Sequence, residues 1–170
     1  MLIHRVYSSS SVKLTITAQL RKAPKLFFLD VGLVNYAQGV RKEILNAKEK
    51  DGLFVGAIAE EAVAQTLYSL CIKQQPNICF WRRENPGASS EVDFIINIDG
   101  KIIPIEVKSG KTGSLKSLHQ FMQVCEHDLA VRVSSNNFIK EKVSAHKNYQ
   151  LITLPFYLIH KIEEIIRGLN

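Results

Sequence analysis

The sequence predicts an α/β or α+β domain built around a mixed sheet. Three observations carry that expectation. The stretch LFVGAIAEEAVAQTLYSLCI is almost continuously apolar and has the length of a helix. Next, EVDFIINIDGKIIPIEVKSGK, Glu91 to Lys111, sets two apolar runs about Asp99-Gly100, the strongest short-range signal for a two-residue hairpin. Helical spacing then returns in SLKSLHQFMQVC, followed by the short strand candidates LAVRVS and QLITL.

Taken in order, LIHRVY alternates weakly and runs into the serines Ser8–Ser11, which read as a loop. KLFFLD, Lys25 to Asp30, is a short strand or buried segment; Asp30 could cap a short helix that stops at Gly39. Residues 40–52 are charged and read as surface. The long helix runs from about Leu53 to Cys71, with Ile58, Ala62, Leu67 and Leu70 among its apolar positions, so it is expected to be buried on more than one side. Glu60 and Glu61 interrupt it about 100° apart around the axis, so one can face solvent and the other inward. NICFWRR is a strand candidate and ENPGASS a loop. After the hairpin, Leu115, Leu118, Phe121 and Met122 have helical spacing, with Ser114 as N-cap. PFYLIHKIEEIIRGL opens with proline near a helix start and closes near Gly168. Its Phe156, Ile159, Ile162, Ile165 and Ile166 pack on the sheet or on a partner; a homodimer is one alternative, and nothing in the sequence selects it.

A chain of 170 residues that is 46% apolar suffices for one domain with a sizeable core. Its net charge of +6 and pI near 9.3 favour an anionic partner without naming one. Cys71, Cys79 and Cys125 lack the spacing of a zinc site and read as reduced core thiols. No apolar run approaches membrane-spanning length, and MLIHRVYSSSS is too short in apolar residues for a secretion signal. The expected location is the cytoplasm, with no membrane partner.

The hairpin turn fixes which side chains meet. With Ile98 paired to Lys101, Asp93 stands opposite Glu106 and Glu91 opposite Lys108, all four on one face. Val92, Phe94, Ile96, Ile98, Ile103, Ile105 and Val107 form the other, core face, while Ile95, Ile102 and Pro104 occupy the turn end of the polar face. Opposed carboxylates repel unless something positive lies between them. A divalent ion such as Mg2+ answers that need, with Glu60 as a third carboxylate and Lys108 beside the pair. Carboxylates, an ion and a nearby cation are what metal-assisted phosphodiester hydrolysis requires. The alternative is a wet hairpin end, with Glu91 salt-bridged to Lys108 and both Glu60 and Glu61 on the surface.

Asp93, twelve intervening residues and then Glu106-Val107-Lys108 resemble the signature of the restriction-endonuclease-like, or PD-(D/E)XK, superfamily. The blocks KLFFLDVGLVN, VGAIAEEAVAQTL, FWRRENPGASSEVDFIINIDGKIIPIEVKSGK and SLHQFMQ together look like the uncharacterised C-terminal domain of a bacterial and archaeal family of AAA-type ATPases. That resemblance implies a restriction-endonuclease-like mixed central sheet flanked by helices. It implies catalytic roles for Glu60, Asp93, Glu106 and Lys108, with Mg2+ or Mn2+ held by Glu60, Asp93 and Glu106. Glu91-Val92 takes the place of the signature proline. No GxxxxGK[ST] phosphate loop occurs, so the chain lacks the family's ATPase module. Residues 1–20 are similar to the end of a preceding winged-helix region or a linker, and 21–170 to the nuclease-like domain. The chain is thus expected to be a C-terminal piece, a truncated gene product or an orphaned domain.

Arg82 and Arg83 after Trp81, with Lys111 and Lys116 near the same end of the hairpin, are candidates for nucleic-acid backbone contact; a solvated basic border is the alternative. Gln120 is placed toward the site by the resemblance. His119 lies next to Gln120 but on a different helical face; His4, His127, His146 and His160 share no ligand spacing, and Trp81 reads as a core or edge anchor. Two functions follow: a divalent-metal-dependent DNA phosphodiesterase or nucleic-acid-binding descendant of one, or a catalytically inactive module that docks an ATPase module or other protein.

Overall fold

Strands in chain order are β1 (Ile3–Ser9), β2 (Lys25–Phe28), β3 (Cys79–Arg82), β4 (Glu91–Ile98), β5 (Lys101–Val107), β6 (Leu129–Ser134), β7 (Ile139–Ser144) and β8 (Asn148–Pro155). The helices are α1 (Gly52–Leu70), α2 (Lys116–Val124) and α3 (Ile162–Arg167), the last entered through a 3-10 segment, Phe156–Lys161. The computed structural model describes residues 3–32, 36, 52–70, 77–83, 90–110 and 113–169. Gly39, most of the segment 40–52, Cys71, residues 84–89 of the ENPGASS loop and Lys111 lie outside the described residues.

The eight strands form a mixed sheet in the order β2-β1-β3-β4-β5-β6-β8-β7, flanked by helices. The turn between β4 and β5 is the primed hairpin expected: Asp99 and Gly100 have φ of 48° and 85°, the left-handed values such a turn needs. Its register runs from Ile98↔Lys101 to Phe94↔Ile105, as the turn dictates.

Two apolar layers cover the two faces. On one, Ile103, Ile105 and Val107 of β5, Val131 and Val133 of β6 and Ile152 and Leu154 of β8 meet α1 and the C-terminal segment. Helix α1 contributes Ala59, Val63, Ala64 and Leu67, a single helical stripe, and the chain's end adds Ile159, Ile162 and Ile166. The alternate residues Ile102, Ala130 and Leu151 join Ile95, Trp81 and Cys79 under α2, which supplies Leu118, Phe121 and Met122. Ile95 and Ile102, expected at the turn end of a polar face, are therefore a second core. Trp81 anchors it, edge-on to Phe121 at 5.3 Å between ring centroids.

Three expectations need correction. Val92 lies in the layer under α2 with Trp81 and Ile95, apart from Phe94 and Ile105. The cause is a bulge: Cys79 pairs with Ile95 but Trp81 with Val92, so β4 spends three residues where β3 spends two. Segment 1–20 supplies β1, which lies between β2 and β3 with Val6, Ser8 and Ser9 fully buried. Ser8 and Ser9 thus belong to a strand rather than a loop, and Ser8 Oγ donates to Gln19 at 2.8 Å. Finally, β7 was invisible in the sequence: its Lys140, Glu141 and Lys142 are exposed, the charged composition of a protected sheet edge. Two helix starts also differ in detail. Leu115, not Ser114, precedes α2, with Ser114 Oγ a long 3.4 Å from Lys116 N; Asp30 does accept the Gly32 N–H.

Candidate carboxylate site

Helix α1 packs through Ala59 and Val63, and this presents the intervening Glu60 to the sheet near β2 and β4. Neither acid of the pair is directed freely to solvent: Glu61 is buried, its carboxyl raised by burial against a hydrogen bond from the Phe28 backbone. The bulge at β3–β4 lies between Val92 and Ile95, so it includes Asp93 and changes the phase of β4 there. Bulges re-aim side chains, and this one lies beside the acids.

Asp93 leans across the hairpin, and its Oδ2 accepts the Val107 N–H at 2.7 Å. Glu106 is 5% exposed; its Oε1 accepts from Lys108 Nζ at 2.7 Å, while Oε2 is buried without a hydrogen-bond partner. Burial, then the charges of Glu106 and Glu60, push the Asp93 carboxyl up to about 8 despite the Val107 N–H and Lys25. Burial likewise raises Glu106, opposed chiefly by Lys108. At neutral pH Asp93 thus retains a proton that an exposed carboxyl would have released.

Lys25, which the sequence reading did not single out, stands at the centre of this cluster. Its ammonium lies 2.8 Å from Glu91 Oε1, 3.2 Å from Glu60 Oε2 and 3.9 Å from Asp93 Oδ1. It also sits over the Phe80 ring at 5.2 Å. Burial disfavours its charge, but the three acids hold it above the ordinary lysine value. No spacing rule links Lys25 to acids 35 to 68 residues away; only the position of β2 beyond β1 brings it there.

The expected facing of Glu91 and Lys108 is not observed. Glu91 pairs across β3 with Arg82, whose Nη2 donates to it at 2.8 Å. Lys25 and Arg82 overcome burial and hold the Glu91 carboxyl low. Lys108 leaves the hairpin for β6, its N–H bonded to Val133 O at 2.8 Å, and its side chain serves Glu106. Arg82 makes this ion pair while its side chain stays 45% exposed. Arg83 lies just beyond β3, with its N–H on Ser90 O, and Lys116 is exposed at the start of α2. Gln120 has a buried Oε1 without a hydrogen-bond partner. The histidines serve local structure: His4 stacks on Tyr68, His119 meets the Tyr149 hydroxyl, and His127 bridges Ile102 O and Leu129 N.

Gly113 permits the Lys108 arrangement. A Cβ there would stand 2.7 Å from Lys108 Cδ, so the lysine stem lies against the glycine backbone. Gly113→Ala is expected to push the ammonium off Glu106. Thermal unfolding followed by circular dichroism should show a loss of about 1 kcal/mol at pH 8 and little at pH 4, where Glu106 no longer needs a cation.

The site thus holds four carboxyl groups and three cations. Among the described residues, no three of His, Cys, Asp and Glu form a ready-made cluster able to hold a metal ion. The oxygen donors nevertheless suit a hard divalent cation, and Glu106 Oε2 is a buried acceptor without a donor. No helix among the described residues is long and apolar enough to cross a membrane. A family model described as Domain of unknown function (DUF4143) matches residues 55–157, more than half of the chain. That span contains Glu60, Glu91, Asp93, Glu106 and Lys108 but excludes Lys25. No curated protein matches the chain.

Proposed function

We propose that this chain, which belongs to the DUF4143 family, is a divalent-metal-dependent phosphodiesterase acting on DNA, with a restriction-endonuclease-like topology. The observation that carries this reading is the buried Asp93–Glu106 pair, in which one Glu106 oxygen is held by Lys108 and the other has no donor. Two like-charged acids buried together oppose folding, and a divalent ion offsets that cost. The hairpin with α1 before it and α2 after it supports the topology.

In this reading Glu60, Asp93 and Glu106 hold Mg2+ or Mn2+. The ion, when bound, would polarise a phosphoryl oxygen and lower the pKa of a water. The Val107 N–H orients Asp93 by fixing Oδ2, leaving Oδ1 toward Lys25 and the site. Lys108 orients Glu106 and brings a positive charge to where a phosphate would gain charge. Arg82, Arg83 and Lys116 are the candidate backbone-phosphate contacts among the described residues, and Gln120 a candidate polar contact; Arg82 also holds Glu91.

The test is calorimetric titration with Mn2+ followed by a DNA cleavage assay. Asp93→Ala should remove measurable Mn2+ binding and lower cleavage by more than about a hundredfold while leaving the fold intact. Equal Mn2+ binding by both proteins would sink the assignment.

A second reading is favoured by a different observation. Lys25 already balances three of the acids, and β2 with the residue after it leaves Leu26, Phe28 and Leu29 exposed beside an edge of the sheet. Those features suit a catalytically inactive interaction module, with the ATPase module of an AAA-type relative as its partner. Neutralising Asp93 should then leave function unchanged.

A further inference from the structure

We propose that Lys25 is a tethered counter-cation that a divalent ion must displace, so that β2 sets the metal affinity of the site. The inference rests on the metal-site reading above and adds a regulator to it.

The grading of its contacts points this way. The closest partner of Lys25 is Glu91, at 2.8 Å, an acid outside the proposed ligand set. Its contacts to the two proposed ligands are longer, 3.2 Å to Glu60 and 3.9 Å to Asp93. Moving off Glu60 and Asp93 would thus leave the strongest contact in place. Glu91 is a firm pivot, because Arg82 holds its other oxygen at 2.8 Å and β3 pairs with it directly. The Phe80 ring beneath both cations, 5.2 Å from Lys25 and 5.4 Å from Arg82, supports the same position.

A second observation points to an ion that Lys25 does not replace. Lys25 reaches Glu60, Glu91 and Asp93, yet Glu106 Oε2 remains buried and without a partner. Lys25 is spent on the other acids and Lys108 on Glu106 Oε1, so no cation of the cluster donates to that oxygen. A divalent ion binding across Asp93 and Glu106 would meet that acceptor and would repel the neighbouring ammonium.

Lys25 also belongs to the short strand β2, at the edge of the sheet. Its charge is therefore fixed near the acids by backbone pairing rather than drawn from solvent. An ion in solution competes with a cation of permanently high local concentration. The consequence is a threshold: the site loads only when the divalent ion is abundant or when β2 is drawn away.

The experiment is Mn2+ titration calorimetry on the full chain and on Lys25→Met, Lys25→Arg and Asp93→Asn, with circular dichroism to establish that each is folded. Methionine keeps the apolar stem over Phe80 without the charge, and arginine keeps the charge. Lys25→Met should bind Mn2+ about tenfold more tightly, while Lys25→Arg stays close to the unmodified chain. Tightening in both variants would show that loosened β2 packing, not charge, is responsible and would overturn the proposal. So would unchanged or weaker binding by Lys25→Met. Binding that survives Asp93→Asn would instead overturn the underlying site assignment. If neither the unmodified chain nor Lys25→Met binds Mn2+, both ideas fall; binding by Lys25→Met alone supports the displacement directly.

Discussion

Asp93→Asn is expected to stabilise the protein in the absence of divalent ions, and by more as pH rises. The folded carboxyl titrates at about 8, raised by burial and by Glu106 and Glu60, whereas an unfolded chain releases the same proton near 3.8. The folded state therefore holds the proton more tightly. Below about pH 4 both states are protonated and the acid is harmless. From there to about pH 8 the unfolded state releases a proton that the folded state retains, so stability falls with rising pH; above 8 the loss is complete. Asparagine has nearly the same shape, and its carbonyl can accept the Val107 N–H. With part of the charge effect passing to the neighbouring Glu106, the gain at pH 8 should be about 2–4 kcal/mol. For a chain of this length that is roughly 5–10 °C in Tm. Melting curves at pH 4, 6 and 8 in EDTA decide it: a gain that does not grow with pH would contradict the buried-acid account. The same substitution should abolish stabilisation by Mn2+, so one residue moves two readouts in opposite directions.

What the sequence made legible was the local chemistry of the hairpin. Asp99-Gly100 dictates a primed turn, and that turn dictates every pair from Ile98↔Lys101 to Phe94↔Ile105. Asp93 and Glu106 follow as neighbours by simple counting, whereas the Glu91–Lys108 facing that the same counting predicts does not form. Two features escaped for different reasons. The bulge in β4 has no glycine or proline to mark it; it arises from how β4 meets β3, and it sends Val92 to the other layer. Lys25 escaped because its role depends on sheet order, which places β1 beside β3 and β2 beyond β1 although the whole of α1 lies between β2 and β3 in sequence. Ser8 and Ser9 show the same limit from the other side. As residues they suggest a loop, but parallel pairing of β1 with β3 satisfies their backbone and buries both. The edge strand β7 is hidden by its own protective charges.

Lys108→Met should have the opposite effect to Asp93→Asn, and the contrast separates a paired acid from an unpaired one. Lys108 donates to one Glu106 oxygen at 2.7 Å, and the other oxygen has no partner. Removing the ammonium leaves a carboxylate that is 5% exposed with neither oxygen bonded by a side chain. Breaking a buried pair from one side costs about 3 kcal/mol, because the remaining charge loses its compensation without regaining water. Burial already raises the Glu106 carboxyl, and loss of the lysine raises it further. The sign follows as before: the variant matches the unmodified chain near pH 4, where Glu106 is neutral in both folded and unfolded states. It then loses ground as pH rises through the shifted value. Glu106→Gln in the same chain should restore most of the loss at pH 8, since a neutral amide needs no cation. A double-mutant cycle from urea unfolding at pH 4 and pH 8 measures this coupling. An equal loss at both pH values, or no rescue by glutamine, would mean that the lysine stem lying along Gly113 matters for packing and that its charge does not.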